Sequence, residues 1–262
     1  MSALAGRRIV VTRARDQAES FAIALEERGA IPVFFPTIQI RPLDDTRVLD
    51  AAVRALEQYK WIVFTSANAA SAFWERMTAC GRASIPDGVR IAAVGPVTSA
   101  RLATLGVAVD AQPGKFIGTE IAGAMGDIRD ARILMPRGED AREETLDSLR
   151  DAGGRVDDIV AYRTGTGAPT ATEFEAMLAP MDAVTFTSPS CVRGFSTLLG
   201  DRAYVIVETT IVVTIGPTTS EAARDAGWPK PIEAETSTVA GIIAALEAHF
   251  RHSSQSQDSS AA

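Results

Sequence analysis

The sequence predicts an α/β protein of two lobes, each a parallel sheet with helices on both faces. Three observations carry that expectation. Short apolar runs alternate with helical patterns along most of the chain, the chain repeats itself once, and its composition suits a globular protein with a core. Of 262 residues, 46% are hydrophobic and 23% charged, enough for two compact domains of about 100–150 residues each.

Taken in order, Arg8-Ile9-Val10-Val11-Thr12 is an apolar run of strand length. Asp16 can cap the helix that follows, in which Phe21, Ala22 and Leu25 recur at helical spacing until Gly29 ends it. Val33-Phe34-Phe35 reads as the next strand. Thr37-Ile38-Gln39-Ile40-Arg41, bracketed by Pro36 and Pro42, reads as extended chain and not as a turn. Further strands are predicted at Trp61–Thr65, Arg90–Val94, Arg132–Met135, Val156–Val160, Asp182–Thr187 and Ile211–Ile215. Helical patterns separate most of them, which is the signature of a parallel sheet covered on both faces. Residues 251–262 (RHSSQSQDSSAA) are polar and terminal, and disorder is expected there.

The repeat is carried by four loops. Phe64-Thr65-Ser66 returns 122 residues later as Phe186-Thr187-Ser188, and Gly95-Pro96-Val97-Thr98 returns 121 later as Gly216-Pro217-Thr218-Thr219. Ile9-Val10-Val11-Thr12-Arg13 matches Ile133-Leu134-Met135-Pro136-Arg137 at an offset of 124, which also pairs Leu25 with Leu149 and Gly29 with Gly153. A plain duplication would give domains of about 1–128 and 129–250. The strand between Pro36 and Pro42 offers a second arrangement, because its repeat mate, Val160-Ala161-Tyr162-Arg163-Thr164, is also extended. The two could pair antiparallel between lobes, with the chain leaving lobe one after residue 35 and returning near 168. The residues themselves leave both arrangements open.

Several function classes are disfavoured. The net charge of −7 argues against nucleic acid or an acidic membrane surface as partner. The start of the chain lacks the apolar run of a secretion signal and no stretch reaches about 18 apolar residues, so a cytoplasmic protein is expected. Cys80 and Cys191 form no metal-binding spacing, and reduced thiols in helices are the expectation. His249 and His252 both lie near the C-terminus, so no central histidine serves a catalytic triad or a metal. Glycine-rich nucleotide-binding loops are missing.

What remains is a set of hydroxyls and helix N-termini at strand ends. Thr65-Ser66-Ala67-Asn68 and Thr187-Ser188-Pro189-Ser190 each follow a strand and enter a helix, as do Gly95-Pro96 and Gly216-Pro217. Any one of these loops is adequately explained as a helix cap. Four loops in two related pairs suggest more, because ligands of open α/β sheets collect beyond the carboxyl ends of strands, where free N–H groups favour carboxylate or phosphate. Arg13 and Arg137 end equivalent strands; Arg15, Lys115 and Arg163 lie in comparable places. Tyr162 sits on a proposed linker strand, where it can pack against the other strand or project its phenol toward a ligand.

At these residues the chain resembles uroporphyrinogen-III synthases. The likeness runs from Ile9–Arg13 through Phe64-Thr65-Ser66-Ala67-Asn68, Val94-Gly95-Pro96-Val97-Thr98 and Ile159-Val160-Ala161-Tyr162-Arg163-Thr164, to Phe186-Thr187-Ser188-Pro189-Ser190 and Ile215-Gly216-Pro217-Thr218-Thr219. It implies two flavodoxin-like three-layer lobes, 1–35 with 168–250 and 43–157, joined by a two-stranded antiparallel linker of 36–42 and 158–167, with the active site in a cleft between lobes. It also implies the reaction. Hydroxymethylbilane loses its hydroxyl as water, and the azafulvene cation attacks the substituted carbon of ring D, forms a spiro-pyrrolenine and recloses as uroporphyrinogen III. No cofactor and no metal are expected, since the substrate supplies its own electrophile and positioning can contribute about 7–11 kcal/mol. By motif position Tyr162 would assist departure of the hydroxyl, and Thr65, Ser66, Asn68, Thr98, Ser188, Thr218 and Thr219, with Arg13 and Arg137, would contact substrate. Val97 stands where the other half has Thr218, so those loops are not assigned symmetric roles. A monomer is expected, with at most transient contact with hydroxymethylbilane synthase. The competing expectation is a non-catalytic two-lobe module that binds a small polyanion.

Overall fold

The computed structural model describes residues 2–114, 117–141, 143–228 and 230–260, with 253–260 described by backbone alone. Lys115 lies outside the described residues. The strands in chain order are β1 (Arg8–Val11), β2 (Ile31–Phe34), β3 (Ile38–Arg41), β4 (Trp61–Phe64), β5 (Arg90–Ala93), β6 (Arg132–Gly138), β7 (Arg155–Thr166), β8 (Ala183–Phe186), β9 (Ile211–Thr214) and β10 (Ile232–Glu233). The helices are α1 (Arg15–Glu26), α2 (Arg47–Arg54), α3 (Ala67–Ala79), α4 (Pro96–Thr104), α5 (Ile121–Met125), α6 (Glu144–Asp151), α7 (Ala171–Ala176), α8 (Pro189–Leu199), α9 (Asp201–Thr209), α10 (Pro217–Asp225) and α11 (Val239–Ser260).

The chain folds as two units, Met1–Gln39 with Gly165–Ala262, and Ile40–Thr164. The first carries a sheet in the order β10-β9-β8-β1-β2, parallel at each of its four pairings. Counted along the unit's own strands this is the order 2-1-3-4-5 of flavodoxin-like folds. β2 is an edge strand, which is why Pro32 can stand within it without a backbone N–H to donate. Side chains alternate across the sheet. Ile9, Val11 and Ala183 pack with Phe21 and Leu25 of α1 and with Ile242 and Leu246 of α11. Phe186, three residues beyond Ala183, therefore points to the opposite face. There it meets Phe195 of α8 edge to face at 5.3 Å, and Phe195 in turn meets Trp228 at 5.6 Å and Phe35 at 5.9 Å.

The second unit has the sheet order β3-β7-β6-β4-β5, with β5/β4, β4/β6 and β6/β7 parallel. Its own four strands repeat the order 2-1-3-4, and β3 takes the fifth place at the edge beside β7. β4 is buried on both faces, as its apolar run WIVF demands. Ile62 and Phe64 pack with Leu49 and Val53 of α2 and Phe73 of α3, while Trp61 and Val63 pack with Ile121 and Met125 of α5 and Leu149 of α6. Each sheet is thus the middle layer of three. A two-pronged ion pair, Arg76 Nε and Nη2 to Asp50 at 2.7 and 2.9 Å, ties α3 to α2.

Some local expectations change. Asp16 lies in the first turn of α1 and not at its cap, which is Ala14 with no side-chain hydrogen bond; its carboxylate still faces the positive helix end. The strand expected at Val156–Val160 and the linker around Tyr162 form one twelve-residue strand, β7. α11 has helical backbone from Val239 through Ser260. Cys191 is buried in α8, and Cys80 is half-buried at the end of α3.

Candidate active site

The repeat reappears as matching geometry at the carboxyl ends of β4 and β8. In both, the serine after the strand adopts extended backbone and caps the next helix. Ser66 Oγ accepts the Ala69 N–H at 3.1 Å, and Ser188 Oγ accepts the Cys191 N–H at 3.2 Å. Thr65, Ser66, Asn68 and Ser188 are all half-buried, so their polar groups remain within reach of solvent. The loops after β5 and β9 match too. Gly95 and Gly216 cap α4 and α10, with Pro96 and Pro217 at the first helical position.

The fourth residue of each GPxT loop departs from expectation. Thr98 is 4% exposed and Thr219 1%, so neither side chain faces a ligand approaching from solvent. The reason is helix rotation: two residues past the first turn position, the side chain points back onto the sheet. The neighbouring third position is open in both halves, as Thr218 and Val97.

The two serine loops differ in what the hydroxyl meets next. In the first unit Ser188 Oγ donates to the Cys191 thiol at 3.3 Å. The equivalent position in the second unit is Ala69, and there Ser66 Oγ lies 3.3 Å from the Tyr162 phenol oxygen. Tyr162 reaches it from β7 by passing over Gly138 of β6, where an added Cβ would sit 2.9 Å from the phenol oxygen. Past this point the Glu139 N–H donates to the Tyr162 carbonyl at 3.1 Å.

The arginines divide sharply. Arg13, at the end of β1, is half-buried, and its Nε donates to Gln17 Oε1 at 3.0 Å. Among the described residues it forms no ion pair. Burial lowers its pKa, with the Cys191 thiol and Asp16 opposing that shift. A guanidinium so placed gains by meeting an anion. Arg137, its repeat mate, is already engaged. Its Nε and Nη2 bind both Asp158 oxygens, at 2.5 and 2.8 Å, and its Nη1 donates to the carbonyls of Gly138 and Glu139 at 3.2 and 3.1 Å. That hydrogen bonding raises its pKa. Arg15 pairs with Glu173 at 2.8 Å, and Arg163 is exposed and held by Glu139 and Asp44 at 3.1 and 3.0 Å.

Sequence reasoning missed Gly138 and Asp158. The first left a trace, since Gly138 stands where the repeat has Ala14. Asp158 left none, because its pairing depends on the register of β6 against β7. Among the described residues no cluster of three His, Cys, Asp or Glu side chains could hold a metal ion, and no helix is long and apolar enough to cross a membrane.

Comparison with known proteins gives a consistent picture. The family described as Uroporphyrinogen-III synthase HemD matches residues 19–244. A uroporphyrinogen-III synthase of Synechococcus elongatus is 30% identical over 93% of this chain and 96% of its own. One from Chlorobaculum parvum is 30% identical over 84% of this chain and 89% of its own. Among solved structures, a mutant uroporphyrinogen III synthase of Thermus thermophilus superposes with a TM-score of 0.63 at 18% identity, covering 94% of this chain and all (100%) of that one. The Helicobacter pylori enzyme gives 0.58 at 17% identity, with 91% and 96% covered. The solved structures bear on the fold, whereas the family match and the 30% relatives bear on descent, and from these the chain belongs to the uroporphyrinogen-III synthase family.

Proposed function

We propose that this chain is a uroporphyrinogen-III synthase, a cyclising lyase of porphyrin biosynthesis that converts hydroxymethylbilane into uroporphyrinogen III. The family match across residues 19–244 carries that reading.

The chemistry asks for three things from the protein: a place for carboxylates, a proton for the departing hydroxyl, and one geometry for ring closure. Carboxylates are taken by the N-termini of α3, α4, α8 and α10, whose free N–H groups follow strand ends in both units, and by Arg13. Thr65, Asn68, Ser188 and Thr218 supply further polar contacts at the same loops. Thr98 and Thr219 act only by filling the first helical turn beneath. Arg137 shapes the end of β6.

Tyr162 is the acid. Either hydroxyl can donate across the 3.3 Å Ser66–Tyr162 contact, and in the orientation where Ser66 Oγ donates, the phenol proton is free to pass to the hydroxyl of the substrate, which leaves as water. The phenolate then accepts the Ser66 hydrogen bond close to the α3 N-terminus. The proton shed by the macrocycle on rearomatisation restores the phenol, so the cycle closes without a net change in the enzyme. Ring inversion follows from holding the bilane so that the substituted carbon of ring D lies nearest the cation.

The same reading takes the lobes as 1–35 with 168–250 and 43–157, joined through 36–42 and 158–167. It takes the protein as a cytoplasmic monomer meeting hydroxymethylbilane synthase only transiently. The test is incubation with freshly generated hydroxymethylbilane, followed by oxidation and separation of the isomers. Type III product in excess is expected; a product mixture no different from the spontaneous type I closure would overturn the assignment.

A further inference from the structure

We infer that Gly138 and the Arg137–Asp158 pair are positioning residues that aim the Tyr162 phenol at the α3 N-terminus. This rests on the catalytic reading of Tyr162 given above and adds the device that places it.

The device is a bulge. β6 and β7 run in regular register from Arg132 opposite Arg155 to Arg137 opposite Val160, and then Gly138 pairs with Tyr162, skipping Ala161. In a regular strand Ala161 and Tyr162 would point to opposite faces. Here both pack on the same cluster, the one formed with α2 and α3, together with Ile159. The extra residue has turned Tyr162 onto the Ser66 side.

Two features hold it there. Arg137 bridges the irregularity, bonding Asp158 on one strand before the bulge and the carbonyls of Gly138 and Glu139 after it on the other. Its side chain and that of Asp158 are 15% and 17% exposed, so water competes little for these bonds. Gly138 supplies the missing volume. Any Cβ there would stand 2.9 Å from both the phenol oxygen and the ring carbon that bears it, forcing the phenol away from Ser66.

The test compares Gly138→Ala, Arg137→Lys, Tyr162→Phe and the Gly138→Ala/Tyr162→Phe double variant in the full chain, measuring type III formation from hydroxymethylbilane. Tyr162→Phe is expected to lower kcat about 10²-fold or more. Gly138→Ala should lower kcat at least about 10-fold with KM within about twofold, since a misplacement near 1 Å can cost about 10²-fold. Arg137→Lys, which keeps charge but loses the two-pronged bond, should act in the same direction. In the double variant Gly138→Ala should add nothing to the Tyr162→Phe loss. With Tyr59, Tyr162 and Tyr204 the chain's only tyrosines, carbon-13 labelling at the tyrosine Cζ gives a second readout: the Tyr162 resonance alone should move in Gly138→Ala. Wild-type kcat in Gly138→Ala beside a slow Tyr162→Phe, or losses that multiply in the double variant, would overturn the positioning role. Wild-type kcat in Tyr162→Phe would instead remove the catalytic reading of Tyr162, and the positioning role with it.

Discussion

Ser66 and Ser188 share a cap and differ in everything beyond it. Each accepts the N–H three residues on, so replacing either with alanine should cost about 1 kcal/mol of stability, read from urea unfolding midpoints. Only Ser66 also touches Tyr162, so Ser66→Ala should lower kcat as well, whereas Ser188→Ala should act on stability and substrate affinity. Equal kcat in the two variants would deny Ser66 its second role. Arg13→Gln belongs to the same scale. Removing a half-buried guanidinium that has no ion-pair partner among the described residues should raise KM and leave kcat near wild type, and an unchanged KM would take Arg13 out of substrate binding. The caps were legible in the sequence because capping is local: a serine before a helical pattern, with a donor three residues on, is nearly the whole interaction. Thr98 and Thr219 were not, since a step of one residue, about 100° of helix rotation, decides whether a side chain faces solvent, as at Val97 and Thr218, or is buried. Arg13 and Arg137 looked equivalent in sequence, and only the strand register separated a loosely held cation from a fully bonded one.

Elements depend on pairings the sequence does not print. The Asp50–Arg76 bond joins α2 to α3, and hydrogen bonding by Arg76 lowers the Asp50 pKa below its usual 3.8 despite burial, with Thr46 assisting. The folded-state value being the lower one, this bond stabilises the fold above the unfolded value and is lost as pH falls through the folded one. Asp50→Asn should therefore cost about 1–2 kcal/mol at pH 7 and progressively less as pH falls below 3.8, so that the variant's stability falls less steeply with acid. Parallel pH profiles would show that other carboxylates dominate. α8 makes a different kind of contact: Gly194 lies so close under the Thr37 carbonyl that an added Cβ would overlap its oxygen. The obstacle is backbone and cannot swing aside, so Gly194→Ala should destabilise by about 1–3 kcal/mol, seen as a lowered urea midpoint. Strands such as β4 and β8 could be read directly from their apolar runs. β10 could not, being only Ile232–Glu233 beside β9, and the bulge in β7 exists only in relation to β6.

For the whole molecule, the repeat in sequence and the division in space cut the chain differently. A duplication read at face value separates the chain near residue 128, yet the second unit is the continuous stretch Ile40–Thr164 and the first is made from both ends. Sequence left that choice open because the segments that decide it, around Ile38–Arg41 and Val160–Thr164, look alike as extended chain whichever way they pair. The consequence is testable by excision. The second unit has its own sheet with a core on each face, centred on Ile62 and Phe64 on one side and Trp61 and Val63 on the other, and is large enough to fold by itself. A fragment of residues 36–167 should give an α/β circular dichroism spectrum and a single cooperative unfolding transition. It retains Tyr162, Ser66 and the α3 and α4 N-termini, but not Arg13 or the α8 and α10 N-termini. If the loops of both units bind substrate, the folded fragment should leave the isomer ratio of hydroxymethylbilane closure at its spontaneous value, because the proposed acid is present while the proposed carboxylate contacts of the first unit are not. Type III product from the fragment alone would mean that one unit suffices to shape the bilane, and the paired loops of the first unit would then be caps and nothing more.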